Sequence, residues 1–220
     1  MGTRRKALKS LISIPFIGGV MSSNELLSYQ NGNLVKLNRD YFKELGIRTF
    51  INAAGTYTSM TGSLMPQEVI DAINYGSLEY VNLDELQDKV GKRIAELLEC
   101  EYATVSSGCF GAMSIAMAGV MSGKDPKKIK QLPDTTGLRN EVILQESHTI
   151  GYAQALTNVG AKLVKVKTAE ELENAINEKT AMLWFLNANT DRGDIKWEEF
   201  VSLGKKHNIP TFIDLSLIHI

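Results

Sequence analysis

The pattern of apolar positions changes period near residue 100. Before it, Val69, Ile70, Ile73 and Leu78 follow Pro66, and Leu86, Val90, Ile94, Leu97 and Leu98 follow Leu83. Each set falls on one face of a 3.6-residue period, which predicts helices over 66–78 and 83–98. Proline suits the first turn of the earlier helix, where its missing N–H would have had no intrahelical acceptor. After residue 100, short apolar runs alternate with amphipathic stretches. YATVSS (102–107), EVILQ (141–145), AKLVKV (161–166), AMLWFLN (181–187) and PTFID (210–214) read as strands. Helices are predicted between them at 109–121, 150–158, 169–177 and 197–207. Strands and helices alternating at this spacing form βαβ units, so the expected fold is α/β, a three-layer sandwich with a mostly parallel central sheet. The polar, Pro- and Gly-containing stretch KDPKKIKQLPDTTGLRN (124–140) reads as a surface loop.

The two ends do not join this pattern. Arg4, Arg5, Lys6 and Lys9 precede a short apolar run, Leu11 to Met21, and the small residues Ser22 and Ser23. The run falls short of the roughly 20 residues that span a bilayer core. Its order is that of a signal peptide, and Thr3-Arg4-Arg5-Lys6-Ala7-Leu8-Lys9 resembles the twin-arginine export motif, with Ala where Phe is usual. Residues 1–23 are therefore expected to be a removable twin-arginine signal. The mature protein would then be periplasmic and without stable membrane insertion; a basic amphipathic helix on a cytoplasmic protein is the alternative. At the other end, LSLIHI turns apolar directly after Asp214, where an α/β strand normally opens a polar loop. Residues 215–220 are expected to be a non-native tail translated from a library adapter, with the natural chain running on past Asp214.

Composition narrows the partners. The chain has 220 residues, 44% hydrophobic and 22% charged, with net charge −1. No basic field favours nucleic acid. Cys100 and Cys109 have neither a metal-ligand spacing nor a disulfide framework, and free buried thiols are expected.

Four places could carry chemistry. In TVSSGCFGAM a strand runs into Ser106-Ser107-Gly108 and a helix starts at once. Gly108 permits the turn, and the helix N-terminus with its spare N–H donors suits an anion such as a phosphate. An ordinary capped turn uses the same residue types. His148 follows the strand EVILQ, on the edge where open α/β sheets place ligands, although a single histidine is more often a surface residue. Asn187 and Asn189 follow AMLWFLN at the same edge, where Asn also forms turns. Asp214 ends PTFI, and a carboxylate ending an apolar strand needs a cationic or hydrogen-bonding partner.

The order of these parts resembles the fold-type I enzymes that use pyridoxal 5′-phosphate (PLP). The resemblance rests on INAAGTYT, YVNLDELQDKVGKRIAELLECEYATVSSGCFGA, ESHTIGYAQALTNVGAKLVKV and NIPTFID, and it covers about Leu37 to Asp214. It points to the aminotransferase class V-like branch containing L-seryl-tRNA(Sec) selenium transferase and D-glucosaminate-6-phosphate ammonia-lyase. Residues 37–214 would be an incomplete PLP-binding major domain. The resemblance implies that Ser107, Gly108 and Cys109 cup the cofactor phosphate, that His148 stacks on its ring, and that Asp214 pairs with the ring nitrogen. Asn189 would reach the ring's phenolic oxygen or a substrate carboxylate, and Gly55 and Thr56 would line the substrate side. A homodimer or higher homo-oligomer is implied in the same way. The lysine that forms the Schiff base in such enzymes follows the aspartate strand, and no lysine follows Asp214 in this chain.

The function expected is PLP-dependent chemistry at the amine-bearing carbon of an amino acid or amino sugar, with elimination favoured over transfer. The chain as written is expected to be inactive for want of the lysine. The alternative is a catalytically silent α/β domain with an anion site; a nucleotide-binding Rossmann-like domain ranks below both. Selenium transfer to tRNA is set aside, because an exported protein does not meet aminoacyl-tRNA.

Overall fold

The computed structural model describes residues 39–216. The predicted signal at 1–23 and residues 217–220 of the predicted tail lie outside the described residues. The chain divides into two compact units, 1–53 and 54–220. In the first, a single helical turn, α1 (Tyr41–Glu44), is capped by Asp40, whose side chain accepts the Lys43 N–H at 3.0 Å. The Arg39 guanidinium pairs with Glu44 beside it.

The second unit begins with two amphipathic helices, α2 (Gln67–Gly76) and α3 (Leu83–Leu98). Pro66 stands at the N-cap of α2, and Asn82 caps α3 by accepting the Glu85 N–H. The apolar faces that the periodicity picks out are exposed at Val69, Ile73, Leu86 and Leu97.

The predicted strand at 102–107 does not form. Those residues pair with no strand among the described residues, and Tyr102 is 89% exposed. A strand exists only through its ladder, and here the contacts come from a helix instead. Gln87 of α3 donates to Thr104 Oγ1 at 2.6 Å and to the Val105 carbonyl at 2.7 Å.

Helix α4 (Cys109–Ser122) follows, then α5 (Pro126–Gln131) inside the stretch predicted to be a loop. Asp125 caps α5 by accepting the Lys127 N–H, and Pro126 occupies its first turn, so the composition that suggested a loop also encodes a short helix. The sheet comprises β1 (Glu141–Gln145), β2 (Lys162–Val166), β3 (Thr180–Leu186) and β4 (Thr211–Asp214), all parallel, in the order β2-β1-β3-β4. Between them stand α6 (Gln154–Thr157), α7 (Ala169–Ala175) and α8 (Trp197–His207). The predicted 150–158 helix is a 3₁₀ turn at Gly151–Ala153 followed by α6.

Two cores sandwich the sheet, as an all-parallel sheet requires. Met182, Trp184 and Leu186 of β3 pack against Met113, Met117 and Met121 of α4. The alternate residues Leu183 and Phe185 pack against Leu172 of α7 and Phe200 of α8 on the other face. This is the predicted three-layer α/β arrangement. Every side chain of β3 is buried. The carboxyl ends of the strands come out together on one edge of the sheet, and His148, Asn189 and Asp214 stand at or just beyond them.

Candidate functional site

Asp214 closes β4 and is 3% exposed. Its Oδ1 accepts the Cys109 thiol at 3.5 Å, the Ser216 N–H at 3.0 Å and the Ser216 hydroxyl at 2.6 Å. The bonds found for this carboxylate among the described residues all fall on Oδ1. Cys109 is the first residue of α4, so the buried acid sits against that helix's N-terminus. Burial, then the Asp214 charge, pushes the Cys109 thiol above its ordinary pKa.

Gly108 precedes α4 with φ 95° and ψ 170°, a conformation that a side chain strains. Among the described residues no side chain caps the helix, which leaves its first-turn N–H groups available to an anion. The Ser106 hydroxyl donates to the Gly108 carbonyl at 3.0 Å, while Ser107 is exposed. Thus a donor-rich helix end and a buried carboxylate adjoin. That pairing fits a ligand with a phosphate at one end and a protonated ring nitrogen at the other, as PLP has.

His148 is 0% exposed, so it is no surface histidine. The Leu186 N–H donates to its Nδ1 at 3.2 Å. Nδ1 must therefore be bare, which puts the proton on Nε2, and Nε2 donates to the Asn189 carbonyl at 3.1 Å. The edge of the ring meets Phe185, with centroids 4.5 Å apart and planes at 82°. Burial, opposed by the Asn189 bond, lowers its pKa and keeps the ring neutral. Stacking on a bound ring, the role implied by resemblance, would require this enclosure to open.

Asn189 lies in the 3₁₀ turn Asn187–Arg192 that follows β3, and its Nδ2 donates to the Ser147 carbonyl at 2.9 Å. Among the described residues, this is the one bond its Nδ2 donates. Gly55, at φ 120°, is exposed and Thr56 is half-buried.

Sequence reasoning did not single out Gln145. This last residue of β1 is buried, and its amide forms a two-point pair with Ile195: Nε2 donates to the Ile195 carbonyl at 2.9 Å, and the Ile195 N–H donates to Oε1 at 2.9 Å. A polar residue ending an apolar strand was the available signal. Gly193 makes room for it, since a Cβ there would fall 2.2 Å from Gln145 Oε1. Gln145, His148 and Asn189 together fill the gap between the ends of β1 and β3, where strand order reverses and open α/β sheets commonly bind ligands. The buried acid lies one strand further along, at β4. On the opposite side, an open cleft of about 340 Å³ is lined by Glu146, Lys167, Arg192 and Asp194.

No family model matches the chain. It is 27% identical over 184 residues to D-glucosaminate-6-phosphate ammonia lyase of Salmonella typhimurium, covering 79% of this chain and 50% of that protein. It is also 27% identical over 186 residues to a Streptomyces 5′-C-glycyluridine monooxygenase-decarboxylase, covering 79% and 47%. With the L-seryl-tRNA(Sec) selenium transferase of Aquifex aeolicus it shares 30% identity over 189 residues, covering 76% and 40%. A solved structure of D-glucosaminate-6-phosphate ammonia-lyase superimposes with TM-score 0.75 at 26% identity, covering 81% of this chain and 51% of that one. The chain spans about half the length of the curated relatives it matches.

Proposed function

We propose that this chain, which belongs to the fold-type I PLP-dependent enzymes of the branch containing D-glucosaminate-6-phosphate ammonia-lyase and selenium transferase, contributes the cofactor cradle of an enzyme acting on an amine-bearing carbon. The substrate class is an amino acid or amino sugar, and the reaction is elimination across the α- and β-carbons. The observation that carries the reading is Asp214, a buried carboxylate held against the N-terminus of α4. When bound, PLP supplies an electron sink for the carbanion formed at the substrate's α-carbon. The residues of this chain bind and tune it. Asp214 keeps the ring nitrogen protonated through its charge. Gly108, Ser107 and the uncapped N–H groups of α4 hold the phosphate, with Cys109 bridging the two ends. Gly55 and Thr56 face the substrate, and the spare amide proton of Asn189 reaches a cofactor oxygen. Elimination is favoured by the ammonia lyase among the relatives.

The full-length enzyme works as a homodimer or higher homo-oligomer on a small-molecule amine. Residues 1–23 direct it out of the cytoplasm by the twin-arginine route, which carries proteins already folded around their cofactor.

The test takes the protein translated from the whole gene, loads it with PLP and offers a panel of amino acids and amino-sugar acids. Ammonia and a carbonyl product released in equal amounts support elimination. Carbonyl product without ammonia points to transfer of the amino group. If PLP shows no saturable binding, the cofactor reading fails.

A further inference from the structure

His148 has no solvent-facing role, and its bonds lead to the buried acid. The register of the parallel pair β3–β4 sets Leu186 opposite Asp214. Leu186 gives its N–H to His148 Nδ1, and His148 returns its Nε2 proton to the Asn189 carbonyl three residues further on. Asn189 in turn donates to Ser147, the neighbour of His148. The turn that these bonds hold packs against β4. One imidazole therefore ends β3 where β3 registers Asp214 and also fixes the turn beyond it. Gln145 Nε2 stands 3.3 Å from His148 Nε2, but its orientation is set by Ile195. Two donors then face each other there, so the Asn189 carbonyl is the acceptor for the ring proton.

We propose that His148 is a positioning residue for Asp214: in its Nε2-protonated form it clamps Leu186 and Asn189, and so fixes the strand end that sets Asp214 toward the cofactor's ring nitrogen. This rests on the cofactor reading above. It assigns the ring a role through its two nitrogens, whereas a stacking role would use its face, and the two are separable by substitution. His148→Asn places an amide oxygen near the position of Nδ1 and keeps the acceptor for Leu186. His148→Phe keeps an aromatic face and loses both nitrogens.

The experiment uses the 220-residue chain and pyridoxine 5′-phosphate, which has the phosphate and ring nitrogen but no aldehyde. Dissociation constants come from equilibrium dialysis, and ring protonation from the ultraviolet spectrum of the bound probe at pH 8. Binding by His148→Asn within about threefold of the parent, with His148→Phe weaker by about tenfold and its bound ring less protonated, supports positioning. Parent-like binding and protonation in His148→Phe, with loss in His148→Asn, overturns it in favour of stacking. Equal effects of the two substitutions also overturn it. Two readouts need no ligand. Nitrogen-15 NMR of the unsubstituted chain must show a bare Nδ1 and a protonated Nε2, and the reverse overturns the clamp even if both variants fail to fold. Exchange of the Leu186 amide must stay slow in His148→Asn and quicken in His148→Phe. If the parent does not bind the probe, the cofactor reading fails, and these two measurements still decide the clamp.

Discussion

The thiol of Cys109 donates to Oδ1 of Asp214 at 3.5 Å across 105 positions of sequence. The contact joins the start of α4 to the end of β4, the two elements whose ends define the proposed cofactor cradle. Because the Asp214 charge helps to raise the thiol's pKa, Asp214→Asn should lower it. The thiolate fraction then rises about tenfold per unit, while intrinsic nucleophilicity falls with a Brønsted slope near 0.4–0.5. Alkylation of Cys109 by iodoacetamide at pH 7 should quicken about threefold for each unit of decrease. Cys100 is exposed and must first be replaced by Ser. An unchanged rate in folded protein would mean that the carboxylate does not govern this thiol.

Gly108 offers a second test. A Cβ at this position would meet nothing within 4 Å, so the obstacle to substitution is the backbone, at φ 95°. Gly108→Val should cost about 1–3 kcal/mol in urea unfolding through that strain. It should also abolish PLP retention, by turning the first N–H groups of α4 away from the phosphate. A variant that unfolds like the parent and retains PLP equally would remove Gly108 from the cradle.

Much of the architecture was legible because period is a local property. The helices at 83–98 and 197–207 and the strand ends at Gln145 and Asp214 follow from spacing alone. Ladder pairing is not local, which is why the run 102–107 read as a strand yet pairs with none among the described residues. The helix α5 was missed for a different reason: Asp125-Pro126 is a helix start as well as a turn signal, and lysine content outweighed it. Within the site, Asp214 and Gly108 were visible as residue types out of place in their surroundings. The enclosure of His148 was not, since it is made by main-chain groups of Leu186 and Asn189, whose side chains carry no trace of it.

The proposed export of this protein can be tested directly. Replacing Arg4 and Arg5 together by Lys should retain the protein in the cytoplasm if the twin-arginine route is used. Cell fractionation with an epitope placed after the mature region reads the outcome. Continued export at the parental level would exclude that route.

The packing of Gly193 against Gln145 predicts a defined loss of stability. Gly193→Ala sets a Cβ 2.2 Å from Gln145 Oε1, and the amide must leave its two-point pair with Ile195. Stranding a buried amide and two main-chain groups costs about 1–3 kcal/mol per unsatisfied group, softened by any relaxation of the loop. Urea unfolding should therefore show a loss of about 2 kcal/mol or more. Combining Gly193→Ala with Gln145→Ala should recover part of it, because the clash disappears with the long side chain. Additive losses in the double variant would show that the two positions do not communicate.

The neutral state of His148 gives stability a pH dependence of known sign. Burial lowers the folded-state pKa below the ordinary 6.5. Above pH 6.5 both states hold the ring neutral and its contribution is complete. As pH falls through 6.5 toward the folded value, the unfolded chain takes up a proton that the folded chain refuses, so stability is lost. One such proton changes the unfolding free energy by up to about 1.4 kcal/mol for each pH unit within that window. The contributions of all other titrating groups must be cancelled. Comparison with His148→Asn does so, because the variant keeps every other titrating group. Urea unfolding at pH 7.5, 6.5 and 5.5 should give a parent whose stability falls more steeply than the variant's below 6.5, with the two slopes alike above it. Parallel slopes throughout would mean that His148 protonates as readily folded as unfolded, which the acceptor role of Nδ1 toward Leu186 forbids.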